Sequence, residues 1–232
     1  MSRDKGGTDE TSKRLIYREV RRSIIMGRCR PGERLDLHGL GREYGTSVTP
    51  VREALQMLAQ EGLVTVKPHS GYFVTQITLK QLGDLLDLRQ ILELAAVERA
   101  ATRITEEQLA QLAQVHAGYT GDDDAAYDRY TEENRRFHRL IAEASGNEEL
   151  ADAVGRLHDR LARFMVLRHA GRTMEESHEH IVEALRSGDP DAARRAMLDE
   201  VKESRETVLA RVIEAEGTHW ILGDGGDGPD RA

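Results

Sequence analysis

Four polar side chains stand at helical positions where the neighbouring residues form apolar stripes. Asn134 and His138, four residues apart, share one face with Phe137 and Ile141, and similar spacing places a second histidine and a glutamate on other stripes. The four residues are Asn134, His138, His178 and Glu200. Burying such groups costs several kcal/mol unless they are paired or bind something. Two imidazoles, a carboxylate and an amide oxygen form a suitable ligand set for Zn, Ni or Mn, with positions left for water or a ligand carboxylate.

These residues also have a simpler interpretation. A single histidine on an apolar face is more often a hydrogen-bonded core residue than a metal ligand, so spacing alone leaves both interpretations open. Arg89 shares a face with several leucines, and Glu93 stands one turn later, so the arginine is expected to point into the same interior. His180 lies about 200° around the helix from His178 and is expected to face away.

Long helices are expected to position these groups. From Leu79 the chain has the pattern of about six acidic, amphipathic helices with only short breaks between them. The breaks fall at residues 118–124, 145–147, 170–171 and 187–190. No strand-like run occurs there, which predicts an all-α antiparallel helical bundle over residues 79–213. Residues 214–232 are rich in Gly and Asp and are expected to be disordered.

The N-terminal part has a different pattern, which predicts a winged helix-turn-helix over residues 13–76 after a flexible segment at 1–12. Apolar residues at helical spacing mark a first helix, and a short second helix spans about Leu37 to Tyr44. Ser47 is placed to cap a third helix that carries Pro50 near its start. The predicted wing consists of two short β-type runs, at residues 63–66 and 72–75.

The exposed side of the third helix carries polar and basic residues of the kinds that contact DNA. Thr49, Arg52 and Gln56 recur at three and four residues, opposite a stripe of apolar residues. A helix that enters the major groove beside a β-hairpin is a recurrent way of reading DNA. On pattern alone, any small α+β domain remains the alternative interpretation.

Composition separates the two parts and excludes several classes of protein. Residues 1–76 carry more basic than acidic side chains, whereas the remainder is strongly acidic and brings the net charge to −8. The single cysteine, Cys29, rules out an internal disulfide framework. No apolar run approaches the roughly 18 residues of a membrane-spanning helix, and the charged start does not resemble a secretion signal. The protein is therefore expected to be cytoplasmic and not bound to a membrane.

Several motifs of the N-terminal part closely resemble the DNA-binding head of the GntR family of bacterial regulators. They are the run Pro31-Gly32-Glu33-Arg34-Leu35, the run from Ser47 to Leu55, the run Glu61-Gly62-Leu63-Val64, and the wing glycine Gly71. The resemblance implies contacts with double-stranded operator DNA from His38, Ser47, Val48, Thr49, Arg52, His69 and Gly71. At Val48 the usual family residue is arginine. Valine cannot make the bidentate contact to guanine, worth roughly 1–3 kcal/mol, so the operator is expected to differ at that base.

A second resemblance covers roughly residues 82 to 210 and is to the FCD effector domain of the FadR-like subfamily. The segments that carry it run from Leu88 to Glu93, from Asn134 to Asn147 and from His178 to Asp189. The resemblance implies a divalent metal on Asn134, His138 and His178, with an acid bound beside it. The family's fourth ligand is a histidine, and here that position is Glu200, which puts metal identity and occupancy in question. Arg89 is expected to hold the effector's carboxylate, or to pair with Glu93 instead.

Together these features predict a homodimeric, ligand-responsive transcriptional regulator, expected to be a repressor, that binds a small carboxylic acid. A metal-independent sensor of the same class is the alternative. A metal-dependent hydrolase is a third candidate, but no separate nucleophile, general base or phosphate loop marks one. A nucleoid protein would need little of the polar pocket and a more basic surface. The protein is therefore not expected to be an enzyme.

Overall fold

The computed structural model describes residues 5–115, 124–166 and 171–216. Within these residues a small N-terminal domain of three helices and a three-stranded sheet precedes a bundle of six helices. The predicted fold class, a winged helix-turn-helix followed by an all-α antiparallel helical bundle, is confirmed. No helix in the described part of the chain is both long enough and apolar enough to cross a membrane.

The N-terminal domain, which we call the head, is built on three helices. They are α1 (Lys5–Ile25), α2 (Leu37–Glu43) and α3 (Val48–Gln60). The apolar stripe of α1 packs against that of α3 in one closed core that includes Ile16, Val20, Leu55 and Leu58. Helix α1 begins at Lys5, inside the segment that was expected to be flexible. Ser47 is the N-cap residue of α3 as predicted, but its side chain makes no capping hydrogen bond.

The wing is a hairpin of strands β2 (Val64–Lys67) and β3 (Gly71–Val74), joined by a turn in which His69 has a φ of 59°. The two-residue strand β1 (Arg34–Leu35) pairs with β3, so the sheet order is β1-β3-β2. Strand β1 was not predicted from the sequence, because a strand of two residues has no alternation to detect. Gly71 has a φ of 109°, a conformation that side chains rarely tolerate.

Six helices form the bundle in the described residues, as the sequence predicts. They are α4 (Leu79–Ala100), α5 (Glu106–Gln114), α6 (Asp124–Ala144), α7 (Glu148–Val166), α8 (Gly171–Ser187) and α9 (Pro190–Glu216). Capping boxes at Thr78 and Thr105 begin α4 and α5, because each threonine and the glutamine three residues later exchange hydrogen bonds. The predicted break at 118–124 and the predicted disordered tail fall mostly outside the described residues.

The bundle has two main apolar cores, and a polar layer lies where they meet. On α4, Leu82, Leu85 and Leu86 belong to one core, whereas Leu94 and Val97, about two turns later, belong to the other. Helix α9 crosses in the same way, from Met197 and Val201 in one core to Val208 and Val212 in the other. The polar residues of α4 and α9 that lie between the two cores are buried. The fold therefore places charged groups in an interior that excludes water.

Candidate functional site

Arg89 is the centre of the polar layer and is fully buried. Its Nε donates to Oε1 of Glu93 at 2.9 Å, and its Nη1 donates to the hydroxyl of Ser204 at 2.7 Å. Its Nη2 donates to Oε2 of Glu200 at 2.8 Å and lies 3.3 Å from Nε2 of His138. The predicted inward orientation of Arg89 and its pairing with Glu93 are thus both present. All three guanidinium nitrogens are engaged, so a carboxylate ligand of Arg89 would have to exchange with one of these partners.

The charged forms of Arg89 and Glu93 are stabilised by the groups around them. Burial alone would lower the pKa of Arg89, but attraction by Glu200 and Glu93 outweighs it and the pKa is raised. Burial alone would raise the pKa of Glu93, but the charge of Arg89 and the contacts with His138 and His158 hold it well below its usual value. At neutral pH the layer therefore contains a guanidinium and ionised carboxylate, each stabilised by the other.

The ring of His138 is oriented by partners on both sides. Nδ1 lies 2.8 Å from Oε2 of Glu93, an electrostatic contact that is not well aligned as a hydrogen bond. On the other side Nε2 faces the N–H donor of Arg89, so the ring proton belongs on Nδ1 and the Nε2 lone pair faces the arginine. A carboxylate behind one nitrogen of a histidine is the usual way in which proteins direct the other nitrogen toward a cation.

His158, on α7, is part of this layer and was missed by sequence analysis. Its Nε2 lies 2.7 Å from Oε1 of Glu93, and its Nδ1 lies 3.5 Å from Nδ2 of Asn134. Burial, together with the nearby His138, lowers the pKa of His158 to about 4, and Glu93 only partly opposes this. The imidazole is therefore neutral at pH 7. A signal was available, because His158 interrupts an apolar stripe that contains Val154, Leu157 and Leu161.

The structure brings three of the predicted metal ligands together. One ligand atom from each of His138, His178 and Glu200 lies within 4.8 Å of the other two, and all three residues are buried. The ring of His178 is held by stacking on Phe137, with ring centroids 4.0 Å apart. His180 is exposed, as predicted. These atoms are close enough to bind one ion.

The side-chain oxygen of Asn134 indicates that these residues can hold a metal. Its Oδ1 is buried without a hydrogen-bond partner, although its amide nitrogen faces His158. A buried amide oxygen without a partner is costly, and such an oxygen is also a normal ligand for a divalent ion. Two histidines, a carboxylate and this oxygen form a donor set suited to Zn, Ni or Mn. The residues therefore fit a divalent metal, with Arg89 as an adjacent fixed cation.

The predicted DNA-contacting residues form a second candidate site on the head. Those with exposed side chains are His38, Ser47, Thr49, Arg52 and His69, whereas Val48 and Gly71 are half-buried. Ser47, Val48 and Thr49 open α3, and His69 and Gly71 lie at the tip of the wing. The serine hydroxyl is not used as a cap, so it can face a partner. The structure therefore leaves these polar groups accessible at one helix end and one hairpin.

Comparison with known protein families gives two matches. Residues 13–74 match the family described as "Bacterial regulatory proteins, gntR family", and residues 84–202 match the FCD domain. The second match alone covers about half of the chain, and together the two cover most of the helical elements that build both candidate sites.

Individual relatives agree with these family matches. The chain is 32% identical over 212 residues to the HTH-type transcriptional repressor RspR of Escherichia coli, covering 89% of this chain and 92% of that protein. It is 30% identical over 207 residues to the "Probable D-xylose utilization operon transcriptional repressor" of Paenarthrobacter nicotinovorans, covering 83% and 90%. The solved structure of E. coli McbR/YncC shares the fold, with a TM-score of 0.68 and 24% identity over 87% of this chain and 98% of that one.

Proposed function

Because the chain belongs to the GntR family of transcriptional regulators and carries an FCD domain, we propose that it is a repressor controlled by a small carboxylic acid. The buried polar layer around Arg89 in the helical domain supports the proposed binding of a small acid. Two relatives that align with more than four fifths of the chain, at 32% and 30% identity, are named as repressors, which supports the direction of control. The relatives are named as regulators of transcription and not as enzymes.

The head is proposed to read operator DNA with the start of α3 and the tip of the wing. Ser47 and Thr49 are exposed there, and Arg52 follows one turn into the helix. Phosphate contacts position such a domain, whereas contacts with base edges give it sequence preference. His38, Val48, His69 and Gly71 complete the proposed contact surface.

Replacing Arg52 with alanine should weaken binding to DNA fragments that wild-type protein selects from a random pool. The expected loss is about 10- to 100-fold, the value of one good contact to a base edge. Fluorescence anisotropy measures it, and Arg14→Ala is the control, because Arg14 is an exposed arginine of the head paired with Glu10 on α1. Equal effects of the two substitutions would show that Arg52 makes no specific contact with the DNA.

The buried charges favour a metal ion and an acid as joint ligands. One guanidinium, Arg89, faces two carboxylates, Glu93 and Glu200, while His158, whose pKa is about 4, is neutral at pH 7. A carboxylate added alone would increase the negative excess in a site that excludes water, which is unfavourable. A divalent ion added with the acid restores neutrality. We therefore expect the acid to bind more tightly when the metal is present.

His138, His178, Glu200 and Asn134 are the residues that would hold the metal. A bound divalent ion supplies positive charge and open coordination positions to which a carboxylate can bind. The chain's own contribution is to orient His138 through Glu93, to hold His178 against Phe137, and to exclude water. Arg89 stands beside this set and can donate to the second oxygen of the acid if Glu200 moves away.

A metal-independent sensor is the second candidate, and one observation favours it. Nη2 of Arg89 lies 2.8 Å from Oε2 of Glu200 and 3.3 Å from Nε2 of His138, so the chain's own cation already faces two of the proposed metal ligands. In that case the acid would take the place of Glu200 on the guanidinium. Calorimetry of acid binding to EDTA-treated protein separates the two, because undiminished affinity supports this candidate and a loss restored by Zn supports the metal.

The proposed homodimer would use an exposed apolar patch on α4. Leu88 and Ile91 are 42% and 65% exposed and share one face of the helix. Asp84, which contacts Lys80 at 2.8 Å, lies near one end of this face and Arg99 near the other, so an antiparallel copy of α4 would bring Asp84 of one chain close to Arg99 of the other. A symmetric pair of chains would also present two heads to a palindromic operator.

Ile91→Asp should therefore convert the dimer into a monomer at micromolar concentration, as measured by light scattering after size exclusion. Burying a carboxylate in the centre of an apolar contact costs several kcal/mol. Ile213→Asp, at a residue 60% exposed on α9, is the matched control and should leave the dimer intact. A dimer unaffected by Ile91→Asp would place the contact elsewhere.

A further inference from the structure

One carboxylate, that of Asp159 on α7, joins the head to the bundle. Its Oδ1 accepts from Nη2 of Arg21, on α1 of the head, at 3.2 Å. The same atom accepts from Nε of Arg135, on α6 of the bundle, at 2.6 Å, and Oδ2 accepts from Nη2 of Arg135 at 3.3 Å. Asp159 is buried, with 5% of its surface exposed, so this shared ion pair is largely protected from solvent.

Arg21 carries the connection on to the helix that is proposed to read DNA. Its Nε donates to Oε2 of Glu61, the C-cap residue of α3, at 3.3 Å, and the hydroxyl of Tyr17 donates to the other oxygen of Glu61. Beside them the side chain of Arg160, on α7, approaches within 3.2 Å of the position that a Cβ atom would take on Gly62. Helix α7 therefore contacts both α1 and the turn that follows α3.

We call the two ion pairs of Asp159, with Arg21 and with Arg135, the bridge. Asp159 and Arg135 each directly follow a residue of the buried polar layer in the sequence. On α6 the layer residue Asn134 precedes the bridge residue Arg135, and on α7 the layer residue His158 precedes the bridge residue Asp159. Neighbouring residues point about 100° apart on a helix, so one faces the interior and the next faces the head. A displacement of α6 against α7 that changes the contact between Asn134 and His158 must also change the contact between Arg135 and Asp159.

The two halves of the bridge differ in their tolerance to such a displacement. The bond from Arg135 to Asp159 is short and is supported by a second contact, whereas the bond from Arg21 rests on one contact of 3.2 Å. Hydrogen bonds weaken steeply beyond about 3.5 Å, so a shift of a few tenths of an ångström would release Arg21 first. Release would remove the ion pair between α1 and the bundle while the bundle keeps its own ion pair between Arg135 and Asp159.

From this arrangement we infer that Asp159 is a positioning residue that transmits the state of the buried layer to the head through Arg21. The inference rests on the proposed function, because it assigns the buried layer as the sensing site and gives the path by which its occupancy changes the position of the head. The coupling is carried by the two adjacent pairs, Asn134 with Arg135 and His158 with Asp159.

Hydrogen exchange of the full chain, measured by mass spectrometry, tests this without any effector. His158→Gln perturbs the buried layer, Arg21→Gln opens the bridge, and the double variant tests whether the two act along one path. His158→Gln should speed amide exchange in the second half of α1 about tenfold, the effect of losing one hydrogen bond to a charged group. Arg21→Gln removes the contacts with both Asp159 and Glu61 and should speed it at least as much. The double variant should be no faster than Arg21→Gln alone. Arg139→Gln, which removes exposed ion pairs with Glu143 on α6 and Asp152 on α7 but touches neither the layer nor the head, should leave α1 unchanged.

Two results would overturn the inference: exchange in α1 that does not respond to His158→Gln, and a double variant in which the two effects add in full. If His158→Gln does not fold, Asn134→Ala is the replacement, and the same criterion applies to it. Because the experiment includes neither metal nor acid, a negative result leaves the proposed function standing. Conversely, a protein that binds no acid can still show the coupling, so the two failures are distinguishable.

Discussion

Replacing Arg89 with methionine should destabilise the helical domain by about 3–5 kcal/mol, because it removes the cation from an interior that holds two carboxylates. Methionine has a similar length and keeps the interior filled, so the loss measures the charge rather than a cavity. Glu200 loses the 2.8 Å contact with the guanidinium, and Glu93 keeps only the histidines. The measurement is urea unfolding followed by circular dichroism.

Two comparisons make this result specific. Arg205→Met removes a more exposed arginine whose partner is Asp87, and it should cost less than about 1 kcal/mol. The double variant Arg89→Met with Glu200→Met removes the guanidinium together with one of its two carboxylates, so it should recover part of the stability, while Glu93 stays buried beside the histidines. A cost for Arg89→Met no greater than that of Arg205→Met would contradict the description of Arg89 as the centre of the layer.

The second large effect is on metal content. Wild-type protein incubated with Zn, Ni or Mn and then dialysed should retain about one ion per chain, and His138→Ala and His178→Ala should each retain none. Elemental mass spectrometry gives the ratio directly. The reason is geometric: each substitution removes one of three ligand atoms that lie within 4.8 Å of one another, and the remaining donors are too few for a structural or ligand-binding site.

Two histidines outside the proposed ligand set provide the controls. His180→Ala, on the same helix as His178 but exposed, should keep the ion. His158→Ala should keep it with an affinity lower by about 10- to 100-fold, since this residue contacts Glu93 and acts on the ligand set indirectly. Wild-type protein that retains none of the three metals would exclude the metal site and leave the metal-independent sensor.

Much of this architecture follows from periodicity. The helices of both domains and the wing hairpin were predictable, because each buries a stripe at a period of 3.6 or 2 residues. The inward position of Arg89 and the burial of His138, His178 and Glu200 were predictable for the same reason, since each interrupts such a stripe. The first strand was not predictable, because pairing between Arg34 and Phe73 depends on tertiary contact alone.

The contacts between residues of the layer could not be predicted from the sequence. Arg89 meets Ser204 and Glu200 across more than 100 residues of chain, and periodicity says which side of a helix faces inward but not which residue it meets there. His158 could have been found, because it interrupts the stripe of α7 as the other histidines do on their helices. The bridge from Arg21 to Asp159 joins two domains, and no pattern within either domain indicates it.

If occupancy of the buried polar layer controls DNA binding, a titration of the DNA-bound protein with acids should show it. Protein bound to a fragment that it selects from random DNA is titrated with a panel of small carboxylic acids, with Zn present, while anisotropy reports the bound fraction. We expect at least one acid to change DNA affinity about 5- to 150-fold, the usual range of coupling between two sites, and His178→Ala to abolish the change. An acid that binds the helical domain in calorimetry but leaves DNA affinity unchanged would contradict this expectation.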